Sequence, residues 1–368
     1  MRFSDSRGQS LQIGAILLFG FLLIALTTAQ AQLVPADISR AELDHSQRVA
    51  DQLVGLETAV FETSVTGRPQ PTTLDLGAEY DDRLLFVYPP PRAGTLRTTD
   101  PATLSIDNAE AVGDDEAFDT YWNGTTRSYP TRAITYEPAY RELDAAPRYR
   151  LEHGVLAARY DSNSRIEIAA NRQPVVDETA ITLTVVDGEL TVAGVATESV
   201  VPDRVTDSTT IDIEASSDPI RLRLPTNLSA ETWRETILDG QSTVDSVAVA
   251  GDVATITLDS SETYELTVHK IDIGTNATEP SPTYLRNATA DDDWPFPVDV
   301  RNRYNDRIAD ATTVWVYNDS DYDSPEASFT VPDGSDPAVT GDICYTLTKG
   351  VVDDDAPETV ESTAGGCA

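Results

Sequence analysis

The sequence predicts a mainly β protein built on an N-terminal transmembrane and amphipathic helix. Its ectodomain is expected to be an antiparallel β-sandwich or an elongated β-sheet. Three observations predict this. Residues 10–28, SLQIGAILLFGFLLIALTT, carry no charge. Apolar residues then recur at helical spacing between positions 49 and 65. From position 70 onward, short β-rich pieces alternate with Pro, Gly, Asp and Asn roughly every 8–12 residues, the spacing of sandwich strands.

The uncharged run comes first. Its 19 residues would span about 28 Å as a helix, close to the hydrocarbon thickness of a bilayer. Arg2 and Arg7 precede it, and the first charge after it is Asp37. Positive residues stay inside, so the expected arrangement is a single-pass membrane protein, its N-terminus cytoplasmic and its body extracellular. A second fate is open. Ala29-Gln30-Ala31 is an A-x-A site behind an apolar core, where signal peptidase would cut and release the body.

Pro35 interrupts the helical pattern and is expected to kink the helix. Ser39-Arg40-Ala41-Glu42 then reads as a capping box, with Ser39 as the N-cap of a new helix. Val49, Leu53, Leu56 and Val60 follow, flanked by Ala50, Val54, Phe61 and Val65, and make a wide apolar stripe. Gly67 and Pro69 close it. This stripe serves either to pack on the protein's own β body or as a stalk.

In the β region, RLLFVY at 83–88 is a strong early strand ended by three prolines. Further strands are expected at 128–136, 149–160, 165–169, 209–214 and 220–224. Those at 180–186 and 189–193 flank Asp187-Gly188, a two-residue hairpin signal. Ser229 is placed to cap a short helix over 230–238, with Trp233 and Ile237 on one face. Strands resume at 244–249, 253–258 and 264–269. Residues 274–293 read as a linker, polar and ending in three aspartates. Beyond it, strands at 298–301 and 313–317 around a turn at Asn305-Asp306 would form a pair. The expected division is a leader at 1–9, a transmembrane helix at 10–31 and an amphipathic helix at 32–67. A β-rich ectodomain follows at 68–274, a linker at 275–294, and a small module at 295–368.

Two resemblances rest on these residues. Arg7-Gly8-Gln9-Ser10 before the apolar run, the LLFVYPPP segment and the Trp233 helix before a meander resemble haloarchaeal membrane-anchored, type IV pilin-like surface proteins of unassigned function. This implies a leader cut between Gly8 and Gln9, with like subunits or other pilin-like proteins as partners through the N-terminal helix. Pilins often carry Glu five residues into the mature chain; here that place is Ile13. The stretch PFPVDVRNRYNDRIADATTVWVYND, 295–319, resembles the opening of bacterial immunoglobulin-like surface domains, which implies a small Ig-like β module at the C-terminus.

Charge sets the environment. The chain of 368 residues holds 62 acidic and 26 basic side chains, a net charge of −36, and its only lysines are Lys270 and Lys349. At ordinary salt this charge repels itself and strains the compact state. In molar salt, where the Debye length is about 3 Å, most of that repulsion is screened, so the composition reads as that of a halophilic acidic protein. No basic patch is available for phosphates, which argues against nucleic acid.

Chemistry is sparse. Five sequons lie beyond the apolar run, at Asn123, Asn227, Asn276, Asn287 and Asn318, as an exported glycoprotein needs. Cys344 and Cys367 would close one disulfide or stay as two thiols. Asp319, Asp321 and Asp323 start like a calcium loop, but Ser324 and Thr330 stand where Gly and Glu are needed. His45, His153 and His269 have no nucleophile pattern beside them, and no G-x-S-x-G or H-E-x-x-H occurs. Tyr121-Trp122 and Trp294-Pro295-Phe296 would suit a carbohydrate-binding or subunit-packing face. The expected function is therefore non-catalytic: a cell-surface structural or adhesion protein, with no cofactor or metal, whose partner is the lipid bilayer. The alternative is a membrane-tethered extracytoplasmic enzyme, such as a carboxylate-dependent glycan hydrolase.

Overall fold

The computed structural model describes residues 6–80, 86–113, 116–161, 164–207, 209–286, 299–307, 312–317, 327–331, 344–347 and 360–362. About 40% of the described residues are strand. One α-helix, Ser6–Thr66, runs unbroken for 61 residues, a rod of about 90 Å.

Pro35 sits inside this helix, which continues past it. That continuity corrects one expectation. Ser39 is an interior helical residue, so the capping box does not form, and Glu42 uses its carboxylate elsewhere. The helix does end at the expected place. Gly67 takes a positive φ of 68° and its N–H donates to the Thr63 carbonyl.

The β body comprises three main sheets. In the first, six strands lie in the order Thr191–Gly194, Gly94–Thr98, Ile134–Glu137, Arg148–Glu152, Val155–Tyr160 and Arg165–Asn171, all antiparallel. The second is built around the parallel pair Ala180–Asp187 and Tyr264–Asp272, joined by Val176–Asp177, Asp203–Arg204, Ile211–Ala215 and Ala109–Ala111. The third has five antiparallel strands, in the order Val244–Ala250, Val253–Leu258, Arg221–Pro225, Ala102–Asp107 and Arg127–Thr131.

Two cores result, and strand periodicity explains how they share elements. Successive side chains point to opposite faces. Val155 and Ala157 enter one core, and Leu156 and Ala158 the other. Likewise Leu266 and Val268 face the first core, whereas Ile271 and Ile273 face the second. The first core lies between sheets and holds Trp122, Tyr129, Trp233 and Tyr264. The second is closed by the long helix: Val49, Leu53, Leu56 and Val60 pack on Leu74, Leu96, Tyr136 and Leu156 among others. The predicted apolar stripe thus packs on the protein's own body.

Other expectations are revised. The Asp187-Gly188 pair makes no hairpin. Ala180–Asp187 stays in the second sheet, while Thr191–Gly194 crosses to pair with Gly94–Thr98 in the first. Gly188 is needed at the crossing: its φ is 92°, and a Cβ there would meet the Ile273 carbonyl oxygen at 2.4 Å. The 128–136 segment is likewise two strands, in the third and first sheets. Of the 83–88 strand, residues 86–88 are described and have no regular structure. The short helix forms as expected. Ser229 Oγ accepts the Thr232 N–H, one α-turn over Ala230–Thr232 passes into a π-turn over Trp233–Ile237, and both Trp233 and Ile237 are buried.

Within the segment read as a linker, Pro282–Arg286 is a strand paired with Asp299–Asn302. Tyr284 is buried and stacks on Tyr121, ring centres 4.3 Å apart. The Asn305-Asp306 turn exists, with Asn305 N–H donating to the Asn302 carbonyl. The strand expected to follow it does not pair with it. Thr312–Tyr317 instead belongs to a four-stranded sheet with Ala327–Val331, Cys344–Leu347 and Val360–Ser362.

Candidate functional site at the helix seam

The long helix has two halves of opposite character. Along its apolar part the side chains stand free of the body: Ile16, Leu18 and Phe21 are 70%, 71% and 69% exposed. This helix is long and apolar enough to cross a membrane, and none of its apolar window is buried within the protein. From Val34 onward one face is buried, through Ile38, Glu42, His45, Val49, Leu53, Leu56, Val60 and Thr63. Their spacing of three or four keeps them on one line.

Polar contacts at the seam come in a ladder. Gln30 donates from Nε2 to the Val87 carbonyl at 2.6 Å and accepts the Val87 N–H at 3.1 Å. Tyr88 donates its hydroxyl to Asp37 at 2.8 Å. Glu42, fully buried, accepts from the Tyr80 hydroxyl at 2.6 Å and from the main-chain N–H groups of Arg141, Glu142 and Leu143 at 2.6, 2.8 and 3.0 Å. Burial pulls the Glu42 carboxyl upward, but these donors overcome it and the net shift is down.

His45 Nδ1 lies 2.7 Å from the Tyr140 hydroxyl. Burial is the main cause that lowers the His45 pKa, against the Asp75 main chain and carboxylate, which raise it. Gln52 accepts the Asp75 N–H at 2.9 Å and donates to its carboxylate at 3.1 Å. Asp75 also accepts from Thr197 and Arg48; the Thr197 bond is the largest cause of its lowered pKa. Glu57 pairs with Arg172 at 3.2 Å, and burial raises its carboxyl above the ordinary range. At the top, Arg204 donates to the Ser64 carbonyl at 2.7 Å.

A cleft of about 570 Å³ opens beside this ladder, lined by Asp37, Arg40, Asp44, Arg48, Asp75 and Glu79, among others. Two of its four acidic groups, Asp37 and Asp75, are occupied with the contacts above, and Arg40 and Arg48 line the cleft beside them. Among the described residues no group of three or more His, Cys, Asp and Glu side chains is arranged to hold a metal ion.

The sequence-derived site residues fall in separate places. Gly8 and Gln9 lie in the first turns of the helix. Asn123, Asn227 and Asn276 are exposed. Asn123 accepts from the Thr125 N–H and hydroxyl, and Asn276 donates to Glu189 at 3.0 Å. Asn287, Asn318 and Cys367 lie outside the described residues, as do Trp294, Pro295 and Phe296, whereas Cys344 begins a strand of the four-stranded sheet. Tyr121 and Trp122 are buried rather than displayed, which removes them as a carbohydrate-binding face. Trp122 Nε1 donates to Asn305 at 3.1 Å, and Arg127 lies over the Tyr121 ring. His153 occupies the turn between two strands, with Nε2 at 2.8 Å from the Pro225 carbonyl. Sequence reasoning missed Gln30, Glu42, His45 and Gln52 as seam residues. The available signal was their register with the apolar stripe.

No protein-family model matches the chain, and no solved structure does. A search of curated proteins finds an uncharacterized protein of Archaeoglobus fulgidus, 23% identical over 166 residues. The aligned part is 45% of this chain, and it spans 27% of that relative's length.

Proposed function

We propose that this protein is a membrane-anchored surface component of a halophilic archaeon, pilin-like in plan, serving a structural or adhesive role. The observation that carries the reading is the two-part helix. Its first part offers apolar side chains on every side, as lipid or neighbouring helices require. Its second part is locked to the β body by a buried stripe and a ladder of polar contacts. A rigid rod of this kind holds a folded domain at a set height above a bilayer. The archaeal relative and the acidic composition support the proposed source. The positive flank, Arg2 and Arg7, supports an outward-facing body.

Protease added to intact cells tests the topology. The reading expects the β body to be digested while a fragment containing residues 10–28 stays with the membrane. A body that resists protease until the cells are lysed contradicts it.

A further inference from the structure

We propose that the loop 86–91 is a second membrane contact, resting in the headgroup–acyl boundary of the bilayer that the long helix enters. The inference rests on the membrane reading of the helix and adds a site to it. Three observations carry it. The first is position. Gln30 holds the loop at Val87, two residues past the end of the uncharged run, and Tyr88 is tied to Asp37, the first charge beyond it. The loop therefore lies alongside the helix where hydrocarbon gives way to water.

The second is the apolar side chain. Val87 is 81% exposed, more than any other large apolar residue among the described ones. The third is the state of the backbone. Water would satisfy the main chain of an exposed loop, whereas a backbone entering lipid must be satisfied within the protein. Both polar groups of Val87 are taken by the single Gln30 side-chain amide. Pro89, Pro90 and Pro91, which follow Tyr88, have no N–H to satisfy. The Tyr88 hydroxyl finds its partner in Asp37. A loop whose exposed apolar tip has both of its main-chain polar groups answered within the protein suits the edge of a bilayer. Together with the helix it makes two points of attachment, which fixes the rotation of the body about the helix axis.

The test uses the full chain with Cys344→Ser and Cys367→Ser, reconstituted in vesicles of phosphatidylcholine and phosphatidylglycerol. A fluorophore is attached at one of three cysteines, Leu18→Cys, Val87→Cys or Val201→Cys, and quenched with nitroxide lipids of shallow or deep label. Val201 follows the strand Thr197–Val200 and lies near Arg204, which caps the far end of the helix. The expected result is deep quenching at 18, shallow quenching severalfold above background at 87, and background at 201. Gln30→Ala, which releases the loop, lowers the signal at 87 toward that at 201 and leaves 18 unchanged. Quenching at 18 with only background at 87 would overturn the proposal and leave the membrane helix standing. Background at 18 would overturn both. Unchanged quenching at 87 in Gln30→Ala would overturn the role given to Gln30.

Discussion

Tyr80 donates its hydroxyl to Glu42 at 2.6 Å across 38 positions of sequence, joining the body to the middle of the long helix. The same carboxylate collects three consecutive main-chain N–H groups at 141–143. A buried carboxylate with four donors works as a peg in a socket. It is stable because each donor answers part of the charge, and it leaves three N–H groups stranded if removed.

Glu42→Ala should therefore destabilise the helix–body seam by about 1–3 kcal/mol, the range for losing hydrogen bonds to a charged group whose donors are only partly buried. Glu42→Gln keeps one acceptor and should cost less. Chemical unfolding of the detergent-solubilised full chain measures both. Because the folded Glu42 carboxyl is held below its ordinary value of 4.5, its contribution is present above that pH and is lost as the pH falls through the depressed folded value. Wild-type and Glu42→Gln stabilities should thus converge in acid; parallel curves would contradict this account of the peg.

His269 gives a second pH dependence at higher pH. Burial, with Arg204 adding repulsion, pushes its pKa down to about 4 from 6.5. Between those values the unfolded chain takes a proton that the folded chain refuses, so stability falls as the pH drops from about 6.5 to about 4. The full loss is about 3 kcal/mol, from roughly 1.4 kcal/mol per pH unit. Thermal unfolding across that range should show the slope, and His269→Gln should flatten it.

Asn305 is one of the points, with Arg303 and Asp306, where residues 299–307 are fastened to the body. Its Oδ1 accepts from Trp122 Nε1 at 3.1 Å and from the Tyr284 hydroxyl at 2.9 Å, all three groups being buried. Asn305→Ala strands two buried donors and should cost about 2–4 kcal/mol. Near-ultraviolet circular dichroism, which follows the packing of Trp122 and Tyr284, reports the loosening directly. An unchanged spectrum and unchanged stability would show that the contact does not hold the segment.

The net charge of −36 makes a prediction about salt. Self-repulsion is screened as the Debye length falls from about 10 Å at 0.1 M to about 3 Å at 1 M. The unfolding midpoint should rise steadily with potassium chloride up to molar concentrations. A midpoint that is flat or falls over that range would remove the halophilic reading of the composition.

Much of the fold was legible because it rests on periodicity. Val49, Leu53, Leu56 and Val60 announce the buried stripe, and Ser229 announces the turn it caps. The lower half of the same stripe was hidden because two of its members, Glu42 and His45, are polar. A hydrophobic pattern has no place for a carboxylate that is buried only because distant N–H groups converge on it. Asp187-Gly188 misled for a related reason. The local signal for a tight turn was sound, but the partners were chosen by long-range register, which sent the two strands to different sheets. Tyr121 and Trp122 looked like a display surface because nothing nearby in sequence reveals Asn305, 183 positions away from Trp122.

The central claim is that the apolar part of the helix remains joined to the body in the mature protein. Intact mass and N-terminal sequence of the protein purified from cell membranes test it most directly. The account predicts a chain that begins at Gln9, or at Met1 if the leader is uncut, and that sediments with the membrane. A chain beginning at Gln32, recovered in the soluble fraction without the apolar run and without Gln30, would contradict it.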